Sequence, residues 1–330
     1  MKRVSILLVV LFLSVLSINA QNVKRNFYGM WTIEIDGGSV GWLGVNDSKG
    51  FLDAELLWGG GSVEPVASVY FVDDNTLVVT RTSPMRRDDG LRRFSIQTYT
   101  FERYGDKLTG KLTTPTRDGM GVTELRFNGW RLADPGAAPD LSKVKYDKPI
   151  TLFNGKDLTG WSLINPNQTN GFKAVNGELV NDPVQVEGQR VSYGNIMTDK
   201  VFDDFKLTVE VNIPEGSNSG IYLRGMYEVQ VMDSYGKELD SHNMGALYSR
   251  IVPSVAAEKK PGEWQNMEII LCSRHLTVVL NGTKIIDNKP VYGPTGGAMQ
   301  ADVMNSGPIY LQGDHGKVSY RNLVLTPILK

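Results

Sequence analysis

One cysteine and three histidines occur in 330 residues, and neither sign of charge predominates: 35 Lys and Arg stand against 36 Asp and Glu, a formal net charge of −1. A lone thiol, Cys272, excludes an intrachain disulfide, so stability has to come from hydrophobic cores. Its setting, MEIILCSRHL, reads as a strand and marks it as a buried structural residue rather than a nucleophile. Balanced charge excludes a protein whose main business is binding nucleic acid or another polyanion, and 41% hydrophobic residues exclude a disordered chain. No G-x-x-x-x-G-K-[ST] and no strand-borne G-x-G-x-x-G is present, so nothing supports nucleotide binding. The basic stretch MRRDDGLRR is interrupted by Asp88 and Asp89 and reads as a solvated hairpin tip. Long apolar runs are missing except for one, Val4 to Leu16, preceded by Lys2-Arg3 and closed by Ala20. It predicts a cleaved signal peptide over 1–20, since a membrane anchor needs about 20 apolar residues. The expectation is an exported bacterial protein, periplasmic or extracellular, with no membrane attachment after cleavage.

What is abundant is glycine, at 35, together with 13 Tyr and 6 Trp, a balance of tight turns and aromatic-rich sheets. From Met30 to Leu132, short apolar or alternating runs (MWTIEI, VGWLGV, FLDAELLW, TLVVTRT, RRFSIQTYTFERY, VTELRFNGW) are separated by turn residues. This predicts about eight antiparallel strands, an up-and-down, lipocalin-like barrel over 22–133. A stretch with Pro135, Ala137, Ala138 and Pro139 carries no periodicity and reads as a linker over 134–147. A second all-β domain follows over 148–330.

Alternation assigns faces there. In FKLTVEVNI, Phe205, Leu207, Val209, Val211 and Ile213 share one face and Glu210 lies on the other; in NSGIYLRGMYEVQVMD, Tyr222, Arg224, Glu228 and Gln230 lie opposite the apolar set. Such a face is usually just solvated. Here, however, carboxylate, guanidinium, amide and phenol cluster beside glycines, as in sheets that pair with sugar hydroxyls and cover sugar rings with aromatics such as Tyr222, Tyr248 and Trp264.

LFNGKDLTGW at 152–161, NSGIYLRGMYEVQVMDSYG at 218–236, PGEWQNMEI at 261–269 and GPIYLQGDHGKVSYRNL at 307–323 together resemble the 3-keto-disaccharide hydrolase family over roughly 149–329. The resemblance implies a concanavalin A-like jelly-roll sandwich that cleaves 3-keto-glycosides, the oxidised sugar being supplied by a separate sugar oxidoreductase. A C3 ketone acidifies the C2 hydrogen, so that a base generates an enolate that expels the C1 substituent. This chemistry needs a base near C2 and a hydrogen-bonding or positive group at the C3 oxygen, not the carboxylate spacing of ordinary glycosidases.

Four residues are candidates for that chemistry. His315, which titrates near neutrality and is flanked by Gly313 and Gly316, leads for proton transfer, with Glu210 and Glu228 as alternatives for the base. Arg224 is the candidate electrophile at the enolate oxygen. Gln230, Tyr222, Asn218, Tyr248, Trp264 and Asp314 are candidates for sugar binding. His315, Asp314, Glu210 and Glu228 could hold a divalent ion polarising the ketone, although no spaced ligand motif is present and neither His242 nor His275 lies in one. No cofactor is otherwise indicated and the oligomeric state is unassigned. The alternative function is a non-catalytic, lectin-like protein using the same face; a further one makes the N-terminal domain an interaction module.

Overall fold

The computed structural model describes residues 27–86, 92–185, 187–189 and 191–329. The expected signal peptide and the tip of the MRRDDGLRR hairpin lie outside them. The described residues form 24 strands and no α-helix, in two compact units: one runs to Trp58 and resumes over Glu64–Ala133, the other comprises Gly59–Val63 and Asp134–Lys330.

The first unit contains β1 (Gly29–Ile35), β2 (Ser39–Ser48), β3 (Phe51–Trp58), β4 (Glu64–Pro65), β5 (Ser68–Phe71), β6 (Thr76–Arg86), β7 (Arg92–Tyr104), β8 (Lys107–Pro115) and β9 (Val122–Arg131). They form one antiparallel sheet in the order β4-β3-β2-β1-β9-β8-β7-β6-β5. Alternation sends Trp31 and Ile33 of β1, Leu43 and Val45 of β2, Leu77 and Val79 of β6, and Tyr99 and Phe101 of β7 into one core. The sheet curls around it, because Trp58 of β3 packs edge-on against Tyr99 of β7 and Phe127 of β9, with ring centroids 4.9 and 5.3 Å apart. Each fully buried side chain of this size contributes about 1.5–3 kcal/mol. The expected meander is present with nine strands rather than eight. A hydrogen-bonded barrel closure is not among the described pairings, since β4 and β5 end the order unpaired to each other.

The second unit contains β10 (Ile150–Thr151), β11 (Trp161–Leu163), β12 (Thr169–Asn170), β13 (Phe172–Val175), β14 (Glu178–Asn181), β15 (Tyr193–Gly194), β16 (Ile196–Thr198), β17 (Phe205–Asn212), β18 (Asn218–Leu223), β19 (Tyr227–Met232), β20 (Trp264–Cys272), β21 (His275–Leu280), β22 (Thr283–Pro290), β23 (Tyr310–Leu311) and β24 (Val318–Pro327). Eight strands form one sheet, β13-β14-β24-β17-β20-β21-β22 with β10 on β24; five form another, β11-β16-β23-β18-β19; β12 and β15 make a short parallel pair. This is a jelly-roll sandwich. The alternation in β17 buries Phe205, Leu207, Val209 and Val211 as expected, and Asn281-Gly282, both at positive φ, turn β21 into β22. Cys272 is buried and free.

Residues 134–147 carry no strand; Asp147 N donates to Pro327 O and Asn288 Nδ2 to Pro139 O, which fastens this segment to the second unit. One expectation changes. Strand β17 is not a neighbour of β18: the chain crosses between sheets there, which separates Glu210 from the polar residues of β18 and β19.

Candidate active site

β18 and β19 pair antiparallel in a register that sets Tyr222 opposite Glu228 and Gly220 opposite Gln230, and β23 joins β18 with Tyr310 opposite Tyr222. Residues of like parity therefore line one face. A cavity of about 210 Å³ opens there, lined by Asn218, Tyr222, Glu228, Tyr310, Gln312, Asp314 and His315, with Asn195, Tyr248, Gly60, Gly61, Gly296 and Gly297 around it.

The floor is a stacked pair of phenols. The Tyr222 and Tyr310 rings lie 3.8 Å apart at 15°, and their hydroxyls donate to the consecutive carbonyls of Gly296 and Gly297 at 2.7 and 2.8 Å. Burial raises both phenol pKa values well above the usual tyrosine range, so they stay neutral. Tyr222 Oη also lies 2.7 Å from Glu228 Oε2. The phenol has one proton; when it goes to Gly296, whose carbonyl can only accept, the second contact needs a proton on Glu228. Burial, with Glu228 2% exposed, pushes the carboxyl up to about 8, which favours the neutral acid at pH 7. Its room comes from Gly220, where a Cβ would collide with Glu228 Oε1.

Facing it is a half-exposed, hydrogen-bonded imidazole–carboxyl pair. His315 Nδ1 lies 2.7 Å from Asp314 Oδ1, and this bond raises the imidazole pKa above its ordinary value although burial opposes the shift. Burial raises Asp314, but the bond from His315 prevails and the carboxyl is lowered. Gly316 and Gly313 serve this turn by close approach: a Cβ would collide with Ser217 Oγ and Gly194 O, respectively. Two amide oxygens on the wall, Asn218 Oδ1 and Gln312 Oε1, are buried and accept no hydrogen bond from the protein. They are ready-made acceptors for hydroxyl donors.

Of the expected residues, His315, Glu228, Tyr222, Asn218, Tyr248 and Asp314 come together in this cavity, and four do not. Glu210 lies on β17 of the other sheet, where its carboxylate accepts from Arg321 Nε and Asn322 Nδ2, each at 2.7 Å. Trp264 lies on β20 of that sheet beneath the Arg321 guanidinium, 3.9 Å from the ring centroid. Gln230 is buried on β19 with its amide against Met232 Sδ, outside the cavity lining. Arg224 has φ 53° in the turn between β18 and β19 and is 3% exposed, with its guanidinium donating to Asp203 O and paired with Asp203 and Asp204 at 2.7 Å. It cannot also serve an enolate in the cavity. The four-donor metal set is likewise not assembled, because Glu210 is elsewhere, and among the described residues no group of three or more His, Cys, Asp or Glu is disposed to hold an ion. Sequence reasoning missed Asn195, Tyr310 and Gln312. The last two share parity with Asp314 in IYLQGD, and that spacing was the available signal.

Residues 148–326 match the model of a family described as the 3-keto-alpha-glucoside-1,2-lyase-like domain. Three solved proteins of Parabacteroides distasonis, each provisionally described as a glycosyl hydrolase, are similar; two of them share 27% and 21% identity, cover 57% and 55% of this chain and 92% and 94% of their own, and superpose with TM-scores of 0.46 and 0.44. A carbohydrate-binding module of Bacillus subtilis is 13% identical, covering 50% of this chain and 93% of its own, with a TM-score of 0.29. No curated protein matches.

Proposed function

Since the chain belongs to the 3-keto-alpha-glucoside-1,2-lyase-like family through a glycoside-hydrolase-like jelly-roll domain, we propose that this domain cleaves 3-keto-glycosides by β-elimination at the C1–O bond, followed by hydration. The observation that carries the proposal is the pairing, across one cavity, of a neutral buried acid, Glu228, with an imidazole supported by a carboxylate, His315 and Asp314. Two titratable groups whose environments set them to opposite tasks are the pattern of acid–base catalysis.

In this reading the neutral form of His315 removes the C2 proton, and Asp314 stabilises the imidazolium that forms. The electron pair passes to the C3 oxygen as an enolate. Its collapse restores the ketone, forms the C1–C2 double bond and breaks the C1–O bond, while Glu228 gives its proton to the departing oxygen. Both groups are then set for the reverse sense: the Glu228 carboxylate takes a proton from water adding at C1, and imidazolium returns a proton to C2. The net change is hydrolysis. With Arg224 committed elsewhere, the side-chain amides of Asn195 and Asn218 are the donors proposed for the C3 oxygen, and Asn218 Oδ1 and Gln312 Oε1 accept from sugar hydroxyls. Export, and supply of the substrate by an oxidoreductase acting on the sugar C3 hydroxyl, belong to the same proposal.

The test is to incubate the full chain with a 3-keto-glucoside carrying a chromogenic aglycone, beside the unoxidised glucoside. Release from the keto form alone, with solvent deuterium incorporated at C2, is the expected result. Binding of the keto sugar without release would replace this reading with the lectin-like one.

A further inference from the structure

Outside the residues assigned to that chemistry, the second unit holds another ordered set of polar groups. Ser62 Oγ lies 2.9 Å from His242 Nε2, and the other ring nitrogen, His242 Nδ1, is hydrogen-bonded to Asp240 Oδ1. The order nucleophile, base, orienting carboxylate is the arrangement that activates a serine hydroxyl. Local chain geometry builds it. Asp240 accepts from the backbone N–H of His242 at 2.8 Å, which turns the ring back over its own carboxylate. Ser249 N donates to Ser241 O, and Ser249 Oγ accepts from Val63 N at 2.8 Å, which seats Ser62 against the ring.

The tautomer follows from these partners. The bonds from His242 hold the Asp240 carboxyl below its ordinary pKa, so it is an acceptor only. His242 Nδ1 must therefore carry a ring proton, so in the neutral imidazole the Nε2 lone pair faces the Ser62 hydroxyl. Since Ser62 spends its single proton on His242, the Tyr248 hydroxyl, 3.1 Å from Ser62 Oγ, donates to that oxygen. The Tyr248 ring stands edge-on to His242, at 88° and 4.9 Å between centroids. Tyr248, Gly60 and Gly61 also line the sugar cavity, so Ser62 stands at its rim, partly open to solvent.

We propose that Ser62, His242 and Asp240 form a serine acyl-transfer centre that hydrolyses short-chain carboxylic esters. Ser62 Oγ bonds to the ester carbonyl carbon as its proton passes to His242 Nε2. The tetrahedral adduct collapses with cleavage of the bond to the alcohol oxygen, which leaves with the electron pair and takes the proton from imidazolium. Water repeats the sequence on the acyl-serine, releasing the acid and restoring the hydroxyl. That the ester is an O-acyl group on a sugar seated in the cavity rests on the function proposed above; the ester chemistry itself does not.

The test treats the full-length protein with a fluorophosphonate probe, maps the adduct by mass spectrometry, and measures p-nitrophenyl acetate hydrolysis. Expected are phosphonylation of Ser62 and a fall in ester turnover of about 100-fold or more in Ser62→Ala and His242→Ala, with about tenfold or more in Asp240→Asn. Neither the label nor p-nitrophenyl acetate hydrolysis needs a keto sugar, so failure of the keto-glycoside reading would leave this result untouched. Wild-type protein that takes no label at Ser62, or ester hydrolysis equal in wild type and Ser62→Ala, overturns the proposal and leaves the three residues as a fastening for segment 59–63. Because the adduct forms on the wild-type protein, the labelling result does not depend on any variant folding.

Discussion

Glu210 and Glu228 sit in the two sheets of one sandwich and carry the same side chain to opposite ends. On β17, burial raises the Glu210 carboxyl, but the bonds from Asn322 and Arg321 and the nearby positive charge together outweigh it and hold the group below its ordinary pKa. On β19, Glu228 meets no cation in hydrogen-bond contact; its near partner is a phenol, and burial drives it up to about 8. The first is an anchor for the neighbouring strand β24, the second an acid with a proton to give at neutral pH. What faces a carboxylate, rather than its place in an alternating strand, decides which of these it becomes.

The contrast can be broken most severely at the cavity. Replacing Glu228 by Gln keeps size and hydrogen-bonding capacity but removes the proton proposed for the leaving oxygen, and on that proposal turnover of a 3-keto-glycoside with a poor leaving group is expected to fall by about 10²–10⁴. A strongly activated phenol aglycone needs less help, so the same variant should recover much of its rate there. Steady-state comparison of the two substrates checks this.

A smaller effect separates the two glutamates in stability. Between the ordinary carboxylate pKa of 4.5 and the folded value of about 8, folded Glu228 holds a proton that the unfolded chain has lost. Stability from this group is therefore complete below pH 4.5 and is lost as pH rises through 8, at no more than about 1.4 kcal/mol per pH unit. Thermal melts of wild type and Glu228→Gln across pH 5–9 should diverge, the variant gaining relative stability toward alkaline pH. A constant difference across that range would show Glu228 to be ionised in the fold. The smallest effect is expected from Glu210→Gln: a part-exposed ion pair contributes about 0–1 kcal/mol, and turnover should stay within about twofold of wild type. A larger loss of turnover would return Glu210 to the chemistry.

These outcomes bear on how far the sequence reaches. The alternating faces of β17 and the Asn281-Gly282 turn were legible because each depends on a local period or a backbone angle. Asn218, Tyr222 and Glu228 meet in the cavity because they lie on the neighbouring strands β18 and β19, where parity carries over, whereas Tyr248, Asp314 and His315 reach it from irregular segments. Glu210 was misplaced because the chain crosses from one sheet to the other between β17 and β18, and nothing local in FKLTVEVN marks that crossing. Arg224 was misplaced by a turn: Met226 N donates to Leu223 O with Arg224 and Gly225 both at positive φ, which ends the strand one residue before the guanidinium and swings it toward Asp203 and Asp204. Trp264 followed Glu210 to the other sheet. Tyr310 and Gln312 were missed because β23 is a strand of two residues, so the parity they share with Asp314 had no longer run of alternation to mark it.

The wall that accepts the two phenol bonds also governs time. From Val291 to Ile309 the chain has no strand of its own, yet Thr295 N and Met299 N donate to Met226 O and Gly225 O, Glu228 N donates to Thr295 Oγ1, and Tyr222 and Tyr310 hold the carbonyls of Gly296 and Gly297. Bonds at this density make an irregular loop travel with the sheet rather than swing over the cavity as a lid. Ligand entry past this wall is then paced by diffusional encounter, and association traces should be single-exponential with a rate linear in ligand concentration, without the plateau that a slow opening step imposes.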